Sequence, residues 1–253
     1  NDGFYTVADF ESFDSKSRTW KLKDGVVDSS PLSDTPRPGN AKFKKLTPVD
    51  PNSTNPYQLT EADRTVIGNT TPKFSGGFGL NATYKGFDMS MFFNFMYDFD
   101  VLNANKIMLT TWADNKENNF LMDIASDKRW RNFDDMGNEI RYSPEILAEF
   151  NKNATMWNPT SIGRPICMSY AVEDGSFLRL NSATLGYTLP SVWTKKVGLS
   201  KVRFYVSGNN LFTLTGYSGY DPEVNIATGL TPNIDYDRYP RSRTYTFGAQ
   251  LTF

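Results

Sequence analysis

The feature that most constrains this chain is a period of two that runs through several long segments. From Phe74 to Tyr84 the even positions carry Phe, Gly, Phe, Leu, Ala and Tyr, and the odd positions carry Ser, Gly, Gly, Asn and Thr. Because successive side chains of a β-strand point to opposite faces, this segment is predicted to be a strand with one apolar face. After Lys85-Gly86 the alternation repeats from Phe87 to Tyr97, which predicts a β-hairpin with a two-residue turn.

Three further segments alternate in the same way and raise the predicted number of strands to five. They are Ser176 to Leu189, residues 201 to 213, and Arg243 to Phe253. In the first, Leu178 and Leu180 are out of phase with the residues that follow, which predicts a bulge or a buried face there. Each segment is about ten to thirteen residues long. A tilted membrane-spanning strand needs about 9–11 residues, whereas globular strands are usually about 5–6, so the lengths favour a transmembrane β-barrel.

The connections between these strands alternate between short and long. Lys85-Gly86 and Pro190 to Ser200 are turn signals, whereas 98–175 and 215–240 are long, polar loops. Outer-membrane barrels have short periplasmic turns and long extracellular loops. We therefore expect four regions: an extracellular loop-rich region at 1–72, a membrane hairpin at 73–97, a long extracellular loop at 98–175, and barrel strands at 176–253 with an extracellular loop at 215–240.

Little regular structure is predicted in the long connections. Within 1–72, only short pieces such as 41–46 are compatible with a strand, and Ser143-Pro144-Glu145 predicts the start of a short helix. A soluble β-sandwich with two decorated loops fits the same alternation and remains an alternative at this point.

Composition excludes several classes of function. The chain has no histidine and one cysteine, which rules out a Ser-His-Asp triad, histidine-ligated metals and an internal disulfide. With 27 basic and 28 acidic residues there is no electrostatic case for binding nucleic acid. No apolar run is long enough for a transmembrane helix, and no signal-peptide pattern follows Asn1. We expect no enzyme activity, no cofactor and no metal, and a chain that either is cytosolic or continues upstream of Asn1.

Five strands cannot close a barrel, because known transmembrane barrels begin at eight. In lipid an open sheet edge leaves unpaired backbone groups, each of which costs several kcal/mol. If the membrane interpretation holds, the chain is therefore a piece of a larger barrel.

Several blocks of the sequence resemble the SusC/RagA family of TonB-dependent outer-membrane transporters. They occur in the family's order between residues 63 and 253, with Phe253 matching the family's terminal residue. The blocks are Asp63-Arg64-Thr65-Val66-Ile67-Gly68-Asn69, Glu173-Asp174-Gly175-Ser176-Phe177-Leu178-Arg179-Leu180, Thr184-Leu185-Gly186-Tyr187-Thr188-Leu189-Pro190, Val206-Ser207-Gly208-Asn209-Asn210-Leu211-Phe212-Thr213, Gly216-Tyr217-Ser218-Gly219-Tyr220-Asp221-Pro222-Glu223, and Tyr239-Pro240 with Arg243-Thr244-Tyr245-Thr246-Phe247-Gly248. The acidic turn that the family often carries near residues 45–50 is absent, and so are its plug domain and TonB box.

The resemblance implies the last five strands of a 22-stranded barrel with a plugged lumen in the bacterial outer membrane. Its implied partners are the rest of the barrel and its plug, a SusD-like lipoprotein on the outside, the TonB complex and the lipid bilayer. The implied cargo is a glycan or a peptide. The alternatives are a soluble β-sandwich that binds glycans and a passive porin that uses neither a plug nor TonB.

The alternation also assigns candidate site residues. We expect the apolar face to contact lipid through Phe78, Leu80, Met91, Phe93, Phe204, Val206, Phe247 and Leu251. Aromatic residues at strand ends are expected at the membrane interfaces, and they are Tyr84, Phe87, Tyr97, Tyr187 and Phe253. Phe253 also resembles the signal read by barrel-assembly machinery. The candidates for stacking on cargo are Trp112, Trp130, Trp157, Tyr217 and Tyr220.

The acidic residues and the cysteine are expected to have structural roles rather than catalytic or metal-binding ones. Glu173 and Asp174 are adjacent, so in a strand they point to opposite faces and do not form a paired-carboxylate site. A turn from loop to strand is expected at Asp174-Gly175. Asp221 and Glu223 are expected to order their loop. A cluster of mixed charges at 123–139 is expected to be solvated surface, and Cys167 an isolated thiol at a strand edge.

Overall fold

The computed structural model describes residues 2–111, 120–125, 127–161, 166–224, 233–236 and 239–253. Contacts divide the chain into two compact units. Unit 1 comprises Asn1–Ile67 and Ala104–Ala171, and unit 2 comprises Gly68–Asn103 and Val172–Phe253.

Unit 1 consists mainly of turns around two small hydrophobic cores. Strands β1 (Phe10–Asp14) and β2 (Thr19–Leu22) form an antiparallel hairpin that the alternation did not predict. Of the segment 41–46, Ala41 makes an isolated β-bridge to Phe4, and the rest is not strand. Helix α1 spans Ala104–Met108. The predicted helix after Ser143 is confirmed as α2 (Pro144–Phe150), with proline in its first turn.

Single 3-10 turns complete the regular structure of unit 1. They are Val7–Asp9, Glu61–Asp63, Met122–Ile124, Pro159–Ser161 and Ser169–Ala171. Cys167 is exposed, but it lies outside any strand, so its assignment to a strand edge is wrong.

Unit 2 is built on one antiparallel sheet of five strands, as the alternation predicted. The strands are β3 (Phe74–Tyr84), β4 (Phe87–Tyr97), β7 (Phe177–Thr188), β8 (Lys201–Thr215) and β10 (Thr244–Thr252), and their order across the sheet is β10-β8-β7-β4-β3. In the described part of the chain, β3 and β10 are the edge strands and pair on one side only.

The short connections match the predicted turns. Tyr84 pairs with Phe87 across Lys85 and Gly86, which both have positive φ, so the hairpin turn has the backbone twist that joins adjacent antiparallel strands. Between β7 and β8 the chain forms helix α3 (Ser191–Thr194), then a 3-10 turn at Lys195–Val197 that ends at Gly198 in the left-handed region.

The alternation of apolar residues in β7 changes phase at a bulge, which is one of the two explanations predicted from the sequence. The register with β8 shifts between Leu180 and Ser182, and the register of β4 with β7 shifts between Phe92 and Phe93. Since one extra residue returns the alternation to its original face, Leu178 and Leu180 join the face that carries Ala183 and Leu185.

A second, small sheet lies within the predicted long loops of unit 2. It joins β5 (Asp100–Asn103) to β6 (Val172–Asp174) in antiparallel pairing and to β9 (Ile234–Asp235) in parallel pairing. Among the helices of the described residues, none has the length and apolar character needed to cross a membrane.

Candidate functional site

The five long strands place their apolar residues on one continuous face. Directly paired residues of an antiparallel sheet point to the same side. One row across the sheet joins Ala82, Met89, Leu185, Val206 and Phe247. The neighbouring row joins Leu80, Met91, Ala183, Gly208 and Tyr245. We call this surface the apolar face.

All eight residues predicted to contact lipid lie on the apolar face. Phe78, Leu80, Phe204, Phe247 and Leu251 are exposed, and Met91, Phe93 and Val206 are half-buried. Phe78 and Phe93 stack with their ring centroids 4.9 Å apart. An exposed apolar surface of this extent marks an interaction surface. Contact with lipid itself stays a prediction.

The opposite face of the same strands is mostly polar and small. A row on this face joins Thr83, Asp88, Gly186, Tyr205 and Gly248. Asp88 accepts a hydrogen bond from Arg203 Nε at 2.9 Å. A side chain at Gly186 would collide with this ion pair, so glycine leaves room for it. The polar face is therefore ordered by an ion pair between β4 and β8 that packs over Gly186 of β7.

Aromatic residues lie at both ends of the apolar face. At the turn end Phe87 and Tyr187 are in ring contact at 4.5 Å, and at the other end Phe74 and Tyr97 stack at 6.5 Å. From Phe74 to Tyr84 the strand rises about 33 Å, which at a tilt of about 40° spans about 25 Å of membrane normal. Phe253 follows β10 directly and is exposed.

The motifs that carry the family resemblance meet one another beside the small sheet. Glu173 accepts hydrogen bonds from the backbone N–H of Ser218 at 3.0 Å, from its hydroxyl at 2.8 Å, and from Asn103 Nδ2 at 3.2 Å. Asp174 accepts from the backbone N–H and hydroxyl of Ser176, which confirms the predicted turn. The Glu173 carboxylate therefore holds the loop at 216–223 against β6.

Arg179 forms the centre of a buried charge network. It pairs with Asp221, its Nε lies 3.7 Å from Glu223 Oε2, and its guanidinium lies 5.4 Å from the ring of Phe177. Arg241 adds a second cation, 3.1 Å from Glu223 Oε1. Asp221 also accepts from the backbone N–H of Glu223 at 2.9 Å. The two acidic residues therefore order their loop, as predicted.

Tyr217 belongs to the core of unit 2 rather than to its surface. It packs in a cluster with Phe99, Val101, Phe177 and Val224. Its hydroxyl donates to Asp235 at 2.6 Å, and burial together with this carboxylate raises the pKa of Tyr217 well above its usual value. This hydrogen bond ties the loop after β8 to strand β9.

The candidate aromatic residues for cargo contact differ sharply in exposure. Tyr220 is 80% exposed, whereas Trp130 is 2%, Trp157 3% and Tyr217 6% exposed. Trp130 packs with Ile140 and Leu147, and Trp157 with Met156 and Met168. Trp112 lies outside the described residues. Stacking on cargo remains a prediction for all five residues. Among the four that the structure describes, Tyr220 is the one whose ring is exposed.

The mixed charges at 123–139 form local contacts. Asp134 accepts from the backbone N–H groups of Met136 and Asn138 at 2.9 and 2.8 Å, and Arg131 pairs with Asp135 at 2.7 Å. Within the described ranges no group of three or more acidic or cysteine side chains is arranged to hold a metal ion.

Asp63 is a buried carboxylate that the sequence reasoning did not single out. Its oxygens accept from the backbone N–H groups of Leu46, Thr47 and Thr60 at 2.7–2.9 Å, and Lys45 Nζ lies 3.4 Å away. Burial alone would raise its pKa, but these hydrogen bonds hold the pKa of Asp63 well below its ordinary value. The carboxylate thus joins the backbone at residues 46–47 to the 3-10 turn that follows Thr60.

A sheet of five long antiparallel strands, apolar on one face across its whole width, is part of the wall of a transmembrane β-barrel. Comparison with known proteins also indicates an outer-membrane barrel protein. The chain is 35% identical over 202 residues to "TonB-dependent receptor P3" of Formosa agariphila, a match that covers 78% of this chain and 18% of that protein. It is 36% identical over 88 residues to "TonB-dependent receptor SusC" of Bacteroides thetaiotaomicron, covering 33% of this chain and 8% of that protein.

Solved structures show the same fold. A structure of the RagAB peptide transporter matches with a TM-score of 0.50 and 26% identity, over 72% of this chain and 17% of that chain. The RagAB peptide importer in its open-open state matches with a TM-score of 0.55 and 24% identity, over 80% of this chain and 20% of that chain. No protein-family model matches the chain.

The chain is a segment of a TonB-dependent receptor of the SusC/RagA type. It spans about a fifth of the length of the curated relatives that it matches over most of its own length.

Proposed function

We propose that the whole protein is an importer in the bacterial outer membrane, driven through TonB, that takes up glycans or peptides together with a SusD-like surface lipoprotein. In this proposal the five strands of unit 2 are part of a 22-stranded barrel that surrounds a plug. The observation that carries the proposal is the continuous apolar face, which crosses all five strands without a charged side chain in its central rows.

The physical argument concerns what such a face requires. Exposed Phe78, Phe204 and Phe247 would favour aggregation in water, whereas lipid tails solvate them. The edges of β3 and β10 need partners, because unpaired backbone groups are costly in a bilayer. The rest of a barrel supplies both partners, which supports a wall segment over a soluble β-sandwich.

The lengths of the connections support an orientation. The tight turn at Lys85-Gly86 and the short connection at 190–200 leave from one end of the sheet, and the segments 98–176 and 216–243 leave from the other. In outer-membrane barrels the long loops face outward. The regions before β3 and between β4 and β7 would then be extracellular, on the side where we propose that the lipoprotein docks.

The names of the similar proteins do not decide between a glycan and a peptide as cargo. The RagAB structures are described as a peptide importer and a peptide transporter, and SusC as a TonB-dependent receptor. The uptake experiment therefore includes both a glycan mixture and a peptide mixture.

The test is uptake by cells that carry a chromosomal deletion of this receptor, of the proposed SusD-like lipoprotein, or of tonB. Labelled glycan and peptide mixtures are supplied in turn, and cell-associated label is measured. We expect one mixture to be taken up by wild-type cells and lost in all three deletions. Uptake that survives deletion of tonB would instead indicate a passive porin, and uptake unaffected by deletion of the receptor would refute the proposal.

A further inference from the structure

Unit 1 contains a cleft whose side chains are suited to an anion. One cavity of about 370 Å³ is lined by Arg18, Arg37 and Arg141 together with Asn158 and Thr160. A second cavity of about 330 Å³ shares Arg141, Asn158 and Thr160 and adds Arg129 and Arg131. Because the two cavities share these residues, we treat them as one cleft and call it the arginine cleft.

The arginines of the cleft are only partly neutralised. Arg141 pairs with Glu139 and Arg131 with Asp135, but Arg18 and Arg37 form no ion pair among the residues that the structure describes. The acidic residues that line the cleft are Asp34 in the first cavity and Asp134 in the second. The chain as a whole carries a net charge of −1, so this concentration of positive charge is local.

Local structure restricts the backbone that displays Arg18 and Arg37, and it positions the Arg18 guanidinium. Arg18 lies in the turn of the β1–β2 hairpin with a positive φ, and its Cζ stands 4.7 Å from the centroid of the Tyr142 ring. Arg37 lies between Pro36 and Pro38, which are both buried and restrict the backbone on either side. Side chains displayed on such restricted segments lose less freedom when they bind a ligand.

A buried amide adds a hydrogen-bond donor to the cleft. Asn158 is only 7% exposed, and its Oδ1 accepts from the backbone N–H of Thr160 at 2.9 Å and from its hydroxyl at 2.7 Å. Its Nδ2 has no acceptor in the described part of the chain. The cleft therefore combines arginine forks with an amide donor.

We propose that the arginine cleft binds a carboxylate-bearing part of the cargo, an inference that rests on the proposed function. A guanidinium donates two parallel hydrogen bonds to a carboxylate, and the planar fork matches that group better than it matches a neutral hydroxyl. The cleft thus selects acidic cargo over neutral cargo of the same size.

The test is isothermal titration calorimetry on the intact receptor that contains this chain, purified in detergent. The probes are trigalacturonate with its methyl ester, and Asp-Asp-Asp with Asn-Asn-Asn. We expect one acidic probe to bind at least about tenfold more tightly than its neutral counterpart, and the difference to shrink at high salt. The preferred acidic probe identifies the source of the carboxylate as a sugar or a peptide.

Variants localise the binding to the cleft. Arg37→Gln and Arg18→Gln should each weaken binding of the acidic probe by about tenfold, the usual effect of losing a charged hydrogen bond. Arg37→Lys should give an intermediate loss, because it keeps the charge without the fork. Lys16→Gln removes a positive charge from the same hairpin turn, outside the lining of either cavity, and should leave binding unchanged. Heat-modifiable gel mobility verifies that each variant forms a barrel.

Three results would overturn the cleft: equal binding of acidic and neutral probes, binding of neither acidic probe, or an acidic preference that Arg37→Gln and Arg18→Gln leave intact. These results concern binding by the purified receptor. The proposed transport function is refuted by a different result, namely uptake in cells that does not depend on TonB.

Discussion

Replacing Leu80 by arginine tests the assignment of the apolar face directly. Leu80 is 50% exposed and pairs with Met91 on the neighbouring strand. It lies about 20 Å along the strand from Phe74 and about 13 Å from Tyr84, and these aromatic residues mark the two ends of the face. Leu80 therefore lies near the middle of the apolar band. Asn81 is its matched control, since it is adjacent in sequence and points to the polar face opposite Ser90.

The expected difference follows from where each side chain points. An arginine on the lipid face costs about 2–4 kcal/mol at the midplane of the bilayer and about 0–1 kcal/mol near the interfaces. The larger range corresponds to roughly a 30- to 1,000-fold shift between the assembled and unassembled barrel. Asn81→Arg places the charge among polar neighbours, so we expect an effect within about 0.5 kcal/mol.

The assay is urea-induced unfolding of the intact receptor reconstituted in lipid vesicles, followed by heat-modifiable gel mobility. Leu80→Arg should lower the free energy of unfolding and the yield of closed barrel, and Asn81→Arg should resemble the wild type. Equal destabilisation by the two variants would show that the two faces are misassigned. A larger effect of Asn81→Arg would reverse the assignment.

Other parts of the chain make independent predictions. Arg179→Met should destabilise the receptor by about 3–5 kcal/mol in urea unfolding, because it removes the buried cation that Asp221 and Glu223 share, and a loss under 1 kcal/mol would contradict that. Asp63→Asn should lower stability at pH 7. The wild type should lose the same contribution as the pH falls below about 4, since the folded-state pKa of Asp63 lies below its unfolded value, and an unchanged pH profile in the variant would refute this role. In intact cells an impermeant maleimide should label native Cys167, which is exposed, but not a cysteine replacing Lys195 in a Cys167→Ser background; the reverse pattern would invert the topology. Deleting residues 250–253 should prevent formation of a closed barrel, whereas deleting four residues around Met136 should not; equal gel mobility of the two deletions would refute the role of the last strand.

The long strands could be predicted from the sequence because a local property determines them. Side chains alternate strictly along an extended backbone, so Phe74 to Tyr84 and Phe87 to Tyr97 show both their conformation and their two faces without any tertiary contact. The turn at Lys85-Gly86 is local in the same sense. The out-of-phase leucines of β7 indicated the bulge, although choosing it over a buried face required the register with both neighbours.

The loops could not be predicted in this way, because distant segments determine their structure. Strand β5 pairs in parallel with β9, which lies about 130 residues later, and neither segment alternates. The hairpin of β1 and β2 is short and largely exposed, so it has no clear apolar period. Such pairings depend on where the chain returns in space, which no local pattern records.

The sequence by itself determined the class of the protein, through the period of its strands and through motifs that resemble one family. Only the tertiary structure decided what the motif residues do: Glu173 and Arg179 bind the loop at 216–223, and Tyr217 lies in a core rather than at a cargo surface. The same holds for the arginine cleft, in which Arg18, Arg37 and Arg141 line one cavity. The physical reason is that an aromatic or a charged residue looks the same in sequence whether it is buried or exposed, and only packing between distant segments makes the distinction.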